Sequence, residues 1–186
     1  MASPLGHALA GGALYALAAP SGSAVRNWRP WAWAAFAGTA ADLDFLPGLL
    51  VHDPSRYHHE ATHSLVAALV FALLAGVLAS RVLGPLGWRI AFLGVAYGSH
   101  LGLDYFTLDR TPPQGIPLLW PFSGEVFMAP VPVFWDLYHG SSWVAFVNWH
   151  NVVAVLRELA ILGPPAVLAC AWRLGREAAP LLVEAP

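Results

Sequence analysis

His59 and His63 are four residues apart, a spacing that on a helix puts both imidazoles on one face, where they can grip one ion. His100 and Asp104 repeat the interval with one neutral nitrogen and one carboxylate, a donor pair suited to zinc or manganese. Either pair alone is more often a hydrogen-bonded couple than a ligand pair. Asp42 and Asp44 are two apart, and on a regular helix such residues point about 200° apart. Pro47 and Gly48 follow closely and favour a frayed end, so an extended turn could bring both carboxylates together. The alternative is one ligand and one carboxylate that orients a histidine. The chemistry of such a set is metal-assisted hydrolysis: a divalent ion lowers the pKa of bound water to about 7, and positive charge stabilises the oxyanion that forms.

The elements that must carry these residues are greasy. Of 186 residues, 58% are hydrophobic and only 11% charged, against about 25% in a soluble domain. A bilayer removes the need for a solvated surface. Five segments are apolar enough to cross or enter it. Ser64 to Ser80 is the clearest, seventeen residues without a charge, near the lower end of the spanning range of about 17–25. Trp31 to Val51 is interrupted by Asp42 and Asp44, and Ile90 to Phe106 carries His100 and Asp104 near its end. Leu5 to about Val25 is loosened by Pro20 and Gly22, and Val152 to Trp172 bears Arg157, Glu158 and Pro164-Pro165. Leu5 to Ala19 lacks a preceding basic residue, so a retained helix is expected there rather than a signal peptide.

With five crossings, Arg26, Arg29, Arg81, Arg89, Arg173 and Arg176 fall on one side, and Arg56, Arg110 and Arg157 on the other. The positive-inside rule makes the first side cytoplasmic, and Trp28, Trp31, Trp88 and Trp172 flank that edge. The opposite, periplasmic or exterior, side then receives His7, Asp42, Asp44, His58, His59, His63, His100 and Asp104 from the ends of neighbouring segments. Ionisable groups at the membrane are costly and usually functional, which favours a shared metal site over scattered structural polar groups. Leu108 to Trp149 stays outside, too rich in proline for a long helix, as a connecting loop, a lid or an interfacial segment.

Other polar residues have blander readings. Thr62 and Ser64 suit helix capping, and His52 and Asp53 suit a solvated loop. His139 and His150 suit the surface or interface, with Asp109 a weak extra candidate. Cys170, in an apolar stretch, suits a small buried apolar side chain. No basic run points to nucleic acid, and all nine basic residues are Arg.

Ser3-Pro-Leu-Gly-His7, Asp42-Leu-Asp44, His59-Glu-Ala-Thr-His63-Ser64, His100-Leu-Gly-Leu-Asp104 and Gly115-Ile-Pro-Leu-Leu-Trp-Pro-Phe122 occur together and in this order. In this the chain resembles the YdjM-like family of bacterial membrane-bound proteins, described as predicted metal-dependent hydrolases, from about residue 3 to 123. It departs from the family pattern at Ala41, where proline is usual, and at Glu60-Ala61, where Arg-Gly is usual. The second change removes an arginine that could contact a phosphate. The order His, Asp, His, His-x-x-x-Asp is also similar to that of zinc-dependent phospholipase C. That likeness implies His7, Asp42, His63, His100 and Asp104 as ligands.

The resulting expectation is an all-α integral membrane bundle, a single domain over 1–186, in the bacterial inner membrane with its site facing out. It is a metal-dependent hydrolase acting on a phosphoester or other ester of a lipid or lipid-linked substrate. One to three zinc ions are expected, with manganese or iron possible, held among His7, Asp42, Asp44, His59, His63, His100 and Asp104. Asp44 or Asp104 is the general base or a bridging carboxylate. Two rivals stand beside it. His58-His59-x-x-x-His63 also resembles one histidine box of membrane di-iron oxidases such as desaturases. A non-enzymatic metal-binding or transport protein would place its charges near mid-bilayer, often with inverted repeats, and no repeat is visible.

Overall fold

The computed structural model describes residues 1–20, 27–51, 54–110, 114–138 and 147–183. His52, Asp53 and His139 lie outside these ranges. The helices are α1 (Pro4–Ala18), α2 (Trp28–Thr39), α3 (Phe45–Leu50), α4 (Leu65–Leu78), α5 (Leu86–Tyr105) and α6 (Trp149–Val183). Among the described residues the only β pairing is two isolated bridges, Thr107 with Phe134 and Ile116 with Phe127. The chain is all-helical, with an irregular stretch after α5.

Each apolar segment of the sequence contains a helix, but boundaries shift for local reasons. The hydroxyl of Ser3 caps α1 by accepting the Gly6 N–H, and Pro4 opens its first turn. Ser64 caps α4 in the same way through Ala67 N–H. The segment from Trp31 to Val51 is not one helix. It ends at Thr39, tightens into a 3₁₀ turn over Ala40–Asp44, and resumes as the short α3. Among the described residues one helix, over Trp149–Glu177, is long and apolar enough by itself to cross a bilayer. Two buried arginines close helix ends remote from the histidines. Arg89 donates to the carbonyls of Gly76 in the last turn of α4 and of Ser80 and Gly84 beyond it, and Arg173 donates to those of Ala19 and Pro20 beyond α1.

α1 packs on α2, α5 and α6, and α4 packs on α5. Small residues make many of the contacts, with Ala34, Ala37, Ala40, Ala41, Ala68, Ala72, Ala75 and Ala96 buried beside Tyr15, Phe92, Leu93 and Leu101. Large aliphatics face outward instead, among them Leu69, Leu74, Val77 and Leu78 on α4 and Leu156, Val167 and Leu168 on α6. On α4 and α6 this departs from the usual burial of a water-soluble domain, where the large aliphatics go inside.

Gly11 and Gly38 set the closest approach, between α1 and α2. A Cβ on Gly38 would stand 2.5 Å from the His7 carbonyl oxygen, and one on Gly11 would stand 2.3 Å from that of Ala34. Both obstacles are backbone, so neither can swing aside. Gly38→Ala is therefore expected to cost about 1–3 kcal/mol through overpacking, read as a lowered thermal midpoint in detergent. An unchanged midpoint would show that the two helices can part freely.

Candidate metal centre

Four helix ends meet at one place. His7 stands in the first turn of α1, Asp42 and Asp44 in the turn after α2, His63 just before α4, and His100 and Asp104 in the last turns of α5. The side chains of His7, His63, His100 and Asp104 have no exposure at all, while those of Asp42, His58 and His59 keep 10%, 8% and 13%. The approach to the centre is thus on the Asp42–His58–His59 side.

Four donor atoms converge most tightly. Nε2 of His63 and Nε2 of His100 are 3.1 Å apart. Asp104 Oδ2 lies 3.1 Å from His100 Nε2 and 3.4 Å from His63 Nε2. Asp42 Oδ1 lies 3.5 Å from His100 Nε2 and 3.8 Å from His63 Nε2. Ligands placed about 2.0–2.1 Å from a tetrahedral ion are about 3.3–3.4 Å from one another, and the five separations bracket that value. These residues could hold a divalent metal. The donors also lack other employment. Both carboxylate oxygens of Asp42, and Oδ2 of Asp104, are buried without a hydrogen-bond partner among the described residues, an omission that ordinarily costs about 1–3 kcal/mol for each group.

The imidazoles are aimed by their other nitrogens. His100 Nδ1 is 2.9 Å from the Gly38 carbonyl oxygen. A carbonyl can only accept, so Nδ1 carries the hydrogen and Nε2 presents its lone pair to the centre. His63 Nδ1 lies 3.2 Å from Asp44 Oδ2. Asp44 also accepts the Thr62 hydroxyl at 2.8 Å and faces His58 Nδ1 at 3.0 Å. Burial opposes a charge on His63, but hydrogen bonds to Asp104 and Asp44 outweigh it and raise its pKa to about 9. His58 goes the other way: burial lowers it to about 3 despite its bond to Asp44.

The 3₁₀ turn is what separates the two aspartates. Asp42 faces the Nε2 atoms of His63 and His100, while Asp44 faces the Nδ1 edge of His63. His59 is not on a helix with His63, as the four-residue spacing suggested. It sits in a turn at φ 60°, in the left-handed region that a non-glycine residue seldom adopts. Its Nδ1 is 3.2 Å from Asp109 Oδ2 and its Nε2 is 3.9 Å from Asp104 Oδ2. Asp109 also accepts the Gly115 N–H, which ties the irregular segment to this turn. His150 stands apart from the cluster, stacked on Trp135 and paired with Asp136.

Sequence reasoning gave no role to Ser3, Gly38 or Glu158. Glu158 is only 1% exposed. It accepts the backbone N–H of Ser3 at 2.8 Å and also the Ser3 hydroxyl, and so fastens α6 to the start of α1. The signal was present, since a carboxylate inside an apolar helix demands a partner. A partner 155 positions away is not readable without the fold.

Neither a curated protein nor a solved structure matches this chain. A family model does, that of the YdjM inner membrane protein, and it extends over residues 1–176. With the match running from before the α1 cap through most of α6, the chain belongs to the YdjM inner membrane protein family.

Proposed function

We propose that the chain is a multi-pass inner-membrane hydrolase that uses one divalent metal ion held by His63, His100, Asp42 and Asp104. Its substrate is an ester or phosphoester of a lipid or lipid-linked molecule at the outer face. The observation that carries this reading is the convergence of two imidazole nitrogens and two carboxylate oxygens at tetrahedral spacing, with the carboxylate oxygens otherwise unsatisfied. The family's membrane location and the outward-facing aliphatics of α4 and α6 support placing the helices in lipid and the site near headgroup depth. The order of the site residues along the chain is similar to that of zinc-dependent phospholipase C.

When bound, the ion would supply a Lewis acid that activates water and stabilises charge on the substrate's oxygens. The chain's own residues do the rest. Gly38 O fixes the tautomer of His100, and Asp44 fixes the orientation of His63, so both Nε2 atoms are set before anything binds. Asp42 presents Oδ1 to the centre, while Oδ2, buried and without a hydrogen-bond partner among the described residues, is the oxygen left to accept the proton of a water activated there. His58 and His59 border the approach, where a leaving group would emerge.

The test is elemental analysis of the detergent-purified protein beside His63→Ala and His100→Ala, with release of product from phospholipid and simple phosphoester substrates followed in parallel. The parent should carry zinc or another divalent transition metal and both variants should lose it together with hydrolysis. A parent that stays metal-free after zinc loading overturns the proposal. Metal-dependent flux in proteoliposomes without hydrolysis would replace it with a transporter.

Asp44 is assigned to positioning because three donors already occupy it. Asp44→Asn should weaken zinc affinity by about 10–100-fold, the usual effect of losing a carboxylate behind a ligand histidine, without abolishing binding. Competition against a chelator of known affinity measures this. Complete loss of the ion would make Asp44 a ligand.

A further inference from the structure

His7 is fully buried, and neither of its ring nitrogens finds a hydrogen-bond partner among the described residues. Its ring lies face to face with that of His100, with centroids 3.7 Å apart and planes 15° from parallel. A metal ion lies close to the plane of each imidazole it bonds, along the nitrogen lone pair. Two nearly parallel rings stacked at that distance cannot both contain one ion in their planes. The stacking thus turns His7 away from the ion between His63 and His100, although its ligand atom lies within 4.8 Å of those of Asp42, His100 and Asp104.

Asp104 shows where the nitrogen of His7 is directed. Its Oδ2 faces His100 Nε2 and His63 Nε2, whereas its Oδ1 lies 3.4 Å from His7 Nε2. Oδ1 already accepts the Ala2 N–H at 2.9 Å, which leaves a second lone pair. Stacked histidines, each beside a different oxygen of one carboxylate, are the arrangement of a carboxylate-bridged pair of ions. His59 offers the next donor. Its Nε2 is buried without a hydrogen-bond partner among the described residues, and Asp109 holds the opposite nitrogen. The left-handed backbone of His59 turns the ring inward beside Asp104 and His63.

The geometry points to a second divalent-cation position between His7 Nε2 and Asp104 Oδ1, 3.4 Å apart, with His59 Nε2, 3.9 Å from Asp104 Oδ2, as the third donor at its edge. This rests on the ion position assigned above. Two imidazoles and one carboxylate suit zinc or manganese and leave a coordination place for water or substrate. Two-metal hydrolases hold their ions about 3.5–4 Å apart, and a bridging carboxylate enforces that range.

The full chain, stripped with a chelator and titrated with zinc alone, should hold two ions after desalting, and His7→Asn and His59→Asn should each hold one. Loaded with manganese alone, the parent should give the exchange-coupled resonance of a pair, and either variant the six-line signal of an isolated ion. His59 lies in a turn outside the helices, so its variant asks the question even if His7→Asn fails to fold. One ion in the parent, unchanged in the variants, overturns the second position and leaves the first standing. Two ions in the parent and two in both variants overturn the assignment of His7 and His59. No ion in the parent removes both positions together.

Discussion

Asp104→Asn should abolish zinc retention and lower hydrolysis by on the order of 10³-fold or more, as removal of a group acting within a catalytic unit does. The substitution nearly preserves shape, so its effect isolates charge. Asp104 is the carboxylate on which His100, His63, His7 and His59 all converge, at 3.1, 3.4, 3.4 and 3.9 Å. An amide in that place offers at most one neutral oxygen and turns an NH₂ group toward nitrogens that should be presenting lone pairs. No neighbour can take over, because Asp44 is held by Thr62, His58 and His63, and Glu158 by Ser3. Elemental analysis and product release settle the matter once an unchanged helical circular-dichroism signal shows that the variant has folded. Wild-type metal content in that variant would end the ligand assignment.

Much of this centre was legible because membrane sequences are chemically sparse. Against a background of Ala, Leu and Val, each of His7, Asp42, His63, His100 and Asp104 is conspicuous, and their positions near segment ends already implied a common level. What the sequence could not supply was direction. The spacing of His59 and His63 suggested one helical face, yet the chain between them is a turn followed by the 3₁₀ helix Ala61–His63, and the two imidazoles enter the cluster differently. Both readings of Asp42 and Asp44 were open until the 3₁₀ turn showed which edge of His63 each carboxylate meets. The Gly38 carbonyl that sets the tautomer of His100 belongs to backbone, and no side-chain pattern announces it. Glu158 and Ser3 meet only because α6 packs on α1. Residue type showed which groups could share a cation, whereas the second partner of each group depended on tertiary packing.

Metal binding should release between about one and two protons per ion near neutral pH, and affinity should rise at least about tenfold per pH unit, or more than about 100-fold between pH 6 and pH 8. Below about pH 7 one proton comes from Asp42, whose carboxyl is pushed up to about 7 by burial, and up to about pH 9 another comes from His63. Its pKa, raised to about 9, leaves the ring doubly protonated at pH 7, with Nδ1–H toward Asp44 and Nε2–H toward Asp104 and His100. An ion must take the Nε2 position, so that proton has to leave. Through His63 each unit of acidity below pH 9 therefore costs about one factor of ten in affinity, with Asp42 adding to it below about pH 7, and above pH 9 the His63 contribution flattens. The same shift works oppositely on the metal-free fold. Because the ordinary value of 6.5 is raised, the charged His63 contributes stability that is complete below pH 6.5 and fades as the pH climbs through about 9. Calorimetric titration in buffers of different ionisation enthalpy counts the protons directly. Asp44→Asn supplies the internal control, since loss of one of the two carboxylates that hold the charge must lower the pKa of His63 and shrink proton release at pH 8. If affinity is flat from pH 6 to pH 8 and no proton is released, His63 is not the group that gives way to the ion.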